Sequence, residues 1–232
     1  GSVLTPVLRA VSPELDIPKL SAGSVFVSDL GTGEIILNKN ADVVLPVWSL
    51  AKLMTATVAS EIIYLGKSVL IKPQMLSDKI QSYPLEAGNR YQVFDLLYPM
   101  LMRGSNAAAK SLAGFVGEGS FVKQMNEKAK NLGMENSIFS DATGVKKENL
   151  SSLKDLAALA KYILEKRSFI FDVSRGKHYD NFGETSFAQI ENLNDFSSEA
   201  GLIGISSGKE ENQEFLLGVW RLKDELGFSR NV

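Results

Sequence analysis

Cysteine is absent from this chain, and histidine occurs once, as His178, in 232 residues. Without thiols there are no disulfides, no thiolate nucleophile and no cysteine-ligated zinc. A Ser-His-Asp relay would have to run through His178. Its neighbours Gly176-Lys177-His178-Tyr179-Asp180 read as a polar turn, so a solvated imidazole is expected there. One imidazole also argues against a histidine-rich metal site. Neither sign of charge is in surplus: the net charge is -2, with 22% of residues charged, so a nucleic-acid partner is not expected. Long apolar runs are missing as well, since none approaches the ~18 residues of a membrane span. No signal-peptide pattern opens the chain, and Gly1-Ser2 has the form of a tag-cleavage scar, so a native leader is not read from this end.

What the chain does have is apolar content. Hydrophobic residues make up 44%, enough for a sizeable core in one large domain, or in one domain with a subdomain. Residues 1–22 contain Pro6, Pro13 and Pro18 and read as an extended lead-in. Residues 24–30 and 34–38 alternate around Gly31-Thr32-Gly33, predicting a β-hairpin. Val69-Leu70-Ile71 reads as a short strand. Helical periodicity predicts helices over 49–64 (ended by Gly66), 91–102, 107–116, 120–132 and 152–164. After Ser168 the pattern turns to strands: 169–173, 186–193, and a second hairpin from 202–206 and 215–220. The expected fold is α+β: an antiparallel sheet from the N- and C-terminal segments, flanked by helices, with a mainly helical subdomain at about 65–167 inside a single domain 23–232.

The stretch from Leu45 to Ala56 is the strongest candidate for chemistry. Ser49 and Lys52 are three apart and share a helix face. Leu50, Leu53, Met54, Val58 and Ile62 form an apolar stripe, and Pro46 sits where a helix can begin. A helix N-terminus and burial both disfavour an ammonium, so Lys52 can serve as a base and Ser49 as its nucleophile. Ser-x-x-Lys also arises by chance as a solvated surface pair. The apolar residues on both sides favour burial here.

This stretch closely resembles the first motif of the serine-type D-alanyl-D-alanine carboxypeptidases, the low-molecular-mass penicillin-binding proteins. Pro46, Ser49, Lys52, Met54 and Thr55 reproduce its Pro-x-x-Ser-x-x-Lys-x-Met-Thr context. Leu85-Glu86-Ala87-Gly88 before Asp95-Leu96-Leu97 resembles the approach to the second motif. Met125 to Ala129 with Leu132-Gly133-Met134 looks like a family helix. Asp141-Ala142-Thr143-Gly144 is similar to the family's Asn-Pro-Thr-Gly turn, and Asp155-Leu156-Ala157 to the helix after it. The resemblance spans about 22–222 and implies a penicillin-binding/β-lactamase-like fold. It implies that Ser49 attacks the carbonyl between the two terminal D-alanines of a peptidoglycan stem peptide, that Lys52 takes its proton, and that the Ser49 N–H helps form the oxyanion hole. β-Lactams would acylate the same serine, no metal or cofactor is implied, and the location would be extracytoplasmic, at the periplasm or cell surface.

Two motifs depart from the family pattern. The second, Ser-x-Asn, falls on Gly104-Ser105-Asn106: the asparagine is kept and the motif serine is glycine. Asn106 is expected to hold substrate and Lys52, with Gly104 and Ser105 lining the substrate site. The third, Lys-Thr/Ser-Gly, has two registers. One places Ser206-Ser207-Gly208 on it, with Ser207 and Gly208 binding substrate. The other uses Phe196-Ser197-Ser198-Glu199-Ala200-Gly201 as the run after the motif, and so places Leu193-Asn194-Asp195 on it. Neither register holds the lysine, and Lys209 faces away from 206 in a strand. A segment missing near 194–198 is the third reading. The functional expectation is a DD-carboxypeptidase of weakened activity. The alternatives are a non-catalytic relative binding muropeptide or a protein partner, and a β-lactamase, which would need a carboxylate base that the sequence does not single out.

Overall fold

The computed structural model describes residues 24–29, 35–76, 82–179, 187, 189–193, 202–205 and 215–220. The expected lead-in lies outside them. Backbone contacts divide the chain into two units, one of Gly1–Ala41 with Phe196–Val232 and the other of Asp42–Asp195.

The first unit carries a four-stranded sheet from the two chain ends. β1 (Ser24–Asp29) pairs antiparallel with β2 (Ile35–Lys39), as the expected hairpin, with a register shift between Val27 and Ser28. β7 (Leu202–Ile205) and β8 (Phe215–Trp220) form the second hairpin. The order is β2-β1-β8-β7. The central pair differs from the expected antiparallel arrangement: β1 and β8 run parallel, Ser24 opposite Phe215 through Asp29 opposite Trp220. Parallel neighbours need a long crossover, and the whole second unit lies between these strands in sequence.

The second unit is mainly helical. Two short antiparallel pairs brace it, β3 (Leu45–Pro46) with β6 (Leu150–Ser151) and β4 (Ser68–Leu70) with β5 (Arg90–Gln92). Its central helix is α1 (Ala51–Ile62), packed against α2 (Val93–Met102), α3 (Asn106–Val116), α4 (Glu118–Asn131) and the short α6 (Phe169–Ser174). α5 (Leu153–Lys166) begins at Ser152, whose hydroxyl accepts the Asp155 N–H at 3.2 Å. Burial of α1 goes beyond the expected stripe. Ala51, Met54, Ala56, Val58 and Ala59 are at most 1% exposed, whereas Ile62 is 41% exposed. Small residues on several faces let neighbouring helices approach closely, and burying Met54 and Val58 contributes ~1.5–3 kcal/mol each.

Other boundaries move for physical reasons. α1 ends at Ile62 with an extended Ile63, not at Gly66. Tyr91 and Gln92 are strand rather than helix because Val69 and Ser68 offer them ladder partners. Residues 169–173, expected as a strand, are helical. Ile170, Phe171, Val173 and Ser174 are all buried, a pattern without strand alternation. Residues 187 and 189–193, the described part of the expected 186–193 strand, form no strand, and the Leu193 N–H donates to the Met102 carbonyl at 2.9 Å. His178 is exposed, as expected, and stacks on Tyr98 with centroids 5.4 Å apart.

Candidate active site

Ser49 stands two residues ahead of α1, in a 3-10 turn of Trp48–Leu50. β3 delivers the chain to this turn, and the Val47 N–H bonds to the Asn149 carbonyl at 2.9 Å. Trp48 then takes a left-handed φ of 44°, an uncommon state for a bulky side chain. The consequence is asymmetry: the Ser49 hydroxyl residue is exposed, while Lys52, one turn on, is 3% exposed.

Lys52 Nζ donates to Ser49 Oγ at 3.4 Å and to the Thr143 carbonyl oxygen at 2.7 Å. Burial pulls its pKa from 10.5 down to about 8, against a smaller opposing pull from the negative charge of Asp141. A lysine near pKa 8 spends an appreciable fraction of its time neutral at mildly alkaline pH, and only the neutral amine can take a proton from Ser49.

The carbonyl that holds Lys52 belongs to a turn at 140–149 that is pinned from three directions. Asn126 of α4 accepts the Phe139 N–H at 2.9 Å and donates to the Phe139 carbonyl at 2.8 Å. Asn149, fully buried, accepts the Ser140 N–H at 2.9 Å and donates to the Lys146 carbonyl at 2.8 Å. Thr55, one turn beyond Lys52, donates to the Ala142 carbonyl at 2.7 Å. Asp141 gathers the turn's own donors. Burial would raise its pKa, but hydrogen bonds from Thr143, Lys146 and Gly144 prevail and hold it below the ordinary value. The Asp-x-Thr-Gly signature of such a turn was visible in the sequence; that its carbonyl would carry Lys52 was not.

The second-motif residues join α2 to α3. The Arg103 and Ser105 N–H groups both donate to the Pro99 carbonyl, at 3.3 and 3.0 Å, folding the chain back at Gly104. Gly104 has φ +69°, which costs an L-residue ~1–2 kcal/mol, so the backbone itself favours glycine where the family motif has serine. Ser105 is buried, and its Oγ caps α3 by accepting the Ala108 N–H at 3.3 Å. Asn106 opens α3, and its Oδ1 is buried without a hydrogen-bond partner among the described residues. The structure thus brings Ser49, Lys52 and Thr143 together and leaves Asn106 with an unused acceptor. Ser207, Gly208, Asn194 and Asp195 lie outside the described residues. So the third-motif registers rest on sequence. Among the described residues no cluster of His, Cys, Asp or Glu could hold a metal ion.

The sequence profile of the D-alanyl-D-alanine carboxypeptidase family matches residues 10–202. The chain belongs to this family. Among D-alanyl-D-alanine carboxypeptidase relatives, it is 33% identical over 170 residues to the D-alanyl-D-alanine endopeptidase of Pseudomonas aeruginosa, covering 68% of this chain and 53% of the relative. It is 32% identical over 155 residues to the D-alanyl-D-alanine carboxypeptidase DacF of Bacillus subtilis, covering 63% and 40%. The crystal structure of the D-alanyl-D-alanine carboxypeptidase DacD from Francisella tularensis superposes with a TM-score of 0.63 at 28% identity, over 75% of this chain and 43% of that one. The chain spans about half the length of the curated relatives it matches. Its fold is the α+β penicillin-binding/β-lactamase-like fold expected from the sequence.

Proposed function

We propose that this chain is the acylating part of a serine DD-carboxypeptidase acting on peptidoglycan stem peptides outside the cytoplasm. One observation carries the reading: an exposed serine hydroxyl lies 3.4 Å from the amine of a buried lysine whose pKa is lowered to about 8. Neutral Lys52 takes the Ser49 proton as Oγ attacks the carbonyl between the terminal D-alanines. The tetrahedral intermediate then collapses, the proton passes to the departing amine of D-alanine, and water later hydrolyses the Ser49 ester. The unused Asn106 acceptor suits a substrate amide N–H.

Acylation is expected to be slow. Gly104 supplies no hydroxyl to relay a proton, and neither register of the third motif supplies a lysine for the substrate carboxylate. Loss of one charge-assisted hydrogen bond costs ~1.5–3 kcal/mol, about tenfold to a hundredfold in rate. The test is incubation of the folded protein with a labelled penicillin, followed by intact-mass spectrometry. A single adduct on Ser49, absent from Ser49→Ala, supports the reading. No adduct after prolonged incubation overturns it in favour of a non-catalytic relative that binds muropeptide or a protein partner.

A further inference from the structure

The turn that holds Lys52 is built around one carboxylate. Asp141 Oδ1 accepts the Thr143 N–H at 2.6 Å, the Thr143 hydroxyl at 2.7 Å and the Gly144 N–H at 2.7 Å. Oδ2 accepts the Lys146 N–H at 2.9 Å and the Asn149 amide at 3.2 Å. The Thr143 carbonyl lies between the first and third of these N–H groups in sequence, and that carbonyl accepts from Lys52 at 2.7 Å. Charge-assisted hydrogen bonds of this kind are about twice as strong as neutral ones. Such a set leaves the peptide between Thr143 and Gly144 little freedom to rotate.

We infer that Asp141 is a positioning residue for acylation, its carboxylate fixing the Thr143 carbonyl at the place that aims the Lys52 amine at Ser49. The inference rests on the reading of Ser49 and Lys52 as nucleophile and base. Asp141 also acts through its charge, which favours the ammonium form of Lys52 and so counters part of the effect of burial. Elements packed against α1 carry other charges. Lys128 of α4 is paired with Glu61 at 2.5 Å. Asp172 of α6 is bonded to Arg175, Lys177 and Tyr179. α4 also carries Glu118, Lys123, Glu127 and Lys130, α2 carries Asp95, α3 carries Lys110, and the turn carries Lys146, Lys147 and Glu148.

Two properties therefore sit on one side chain, and two substitutions remove them to different extents. Asp141→Asn keeps an acceptor for the three donors on Oδ1, removes the charge and gives up the two bonds accepted by Oδ2, where an amide N–H would face the Lys146 N–H and the Asn149 amide. Asp141→Ala removes both. The experiment follows the titration of Lys52 by NMR of the lysine Cε–H groups in the intact chain, with the resonance assigned by its loss in Lys52→Met. Penicillin acylation is measured alongside across pH 6 to 10. Asp141→Asn is expected to move the Lys52 midpoint to lower pH and to lower the plateau acylation rate less than Asp141→Ala does. Asp141→Ala is expected to lower the plateau on the order of a hundredfold, the scale of a misplaced reacting group. A merely structural role would lower rates without moving the midpoint. An unchanged Lys52 midpoint in Asp141→Asn, or a wild-type plateau in Asp141→Ala, overturns the inference. Should the wild type take no penicillin, the proposed function falls, and the Lys52 titration still decides the hold of Asp141 on Lys52.

Discussion

A Cβ placed on Gly144 would lie 1.8 Å from the carbonyl oxygen of Trp48. The two residues are in backbone contact although about a hundred positions separate them in sequence, and the contact has functional content. Trp48 precedes Ser49, and Gly144 follows the residue whose carbonyl holds Lys52. The Thr143–Gly144 peptide therefore touches the Ser49–Lys52 turn at both ends, through Trp48 on one side and Lys52 on the other.

Gly144→Ala tests this contact. The position has φ +80°, which costs an alanine ~1–2 kcal/mol, and overpacking against backbone adds ~1–3 kcal/mol. A loss of about 3 kcal/mol in urea unfolding is expected, with acylation of Ser49 reduced because the turn must move. A loss below ~1 kcal/mol would show that the two backbones separate easily.

Lys52→Met tests the burial of the amine through pH. The folded pKa is about 8 and the ordinary value 10.5, so between these the unfolded chain binds more protons than the native one. Stability then rises with pH across that window. Below pH 8 the full cost of burying the ammonium applies, on the order of 3 kcal/mol. The wild type should gain stability relative to Lys52→Met from pH 8 to pH 10.5. Parallel stability curves for the two proteins would contradict a lowered Lys52 pKa.

Asn106→Ala should separate stability from function. Its Oδ1 is buried with no partner among the described residues, so its removal relieves an unmade hydrogen bond. Thermal unfolding is expected to stay within ~0.5 kcal/mol of wild type or to improve, while penicillin acylation falls at least about tenfold. Equal losses in both measurements would make Asn106 a structural residue.

Asp155→Ala addresses the support of the segment leading to the 140–149 turn. Asp155 is 5% exposed, and its Oδ2 accepts the Asn136 N–H at 2.8 Å and the Ser137 hydroxyl at 2.7 Å. Stranding buried donors costs ~1–3 kcal/mol. Denaturant unfolding should show a loss of about 2 kcal/mol, smaller in Asp155→Asn, which retains an acceptor. No difference between the two variants would mean that water reaches these donors.

Helices with a clear 3.6-residue period were legible, and α5 shows why. Leu153, Leu156, Ala157, Ala160 and Ile163 share one face, and all are buried. The run Phe169-Ile170-Phe171 misleads because a short apolar segment carries no period. Its contacts with α2 and α5 accompany a helix. Tyr91 and Gln92 fit a helical pattern and became strand because a partner edge was present. Local preference loses to a hydrogen-bonding partner that local sequence cannot reveal.

The same division runs through the site. The sequence by itself determined the residue types and their local spacing: a serine and a lysine one helical turn apart, an asparagine ahead of a helix, and an Asp-x-Thr-Gly turn. These depend on a few consecutive residues and survive in the order of the chain. Only the tertiary structure decided that Lys52 loses its water, that its ammonium rests on a carbonyl 91 residues away, and that Gly144 abuts Trp48. Desolvation and close backbone contact belong to the packed interior, because each depends on atoms brought together from distant parts of the chain. That is why a common Ser-x-x-Lys spacing becomes a hydrogen-bonded pair with a desolvated lysine only when the 140–149 turn closes over it.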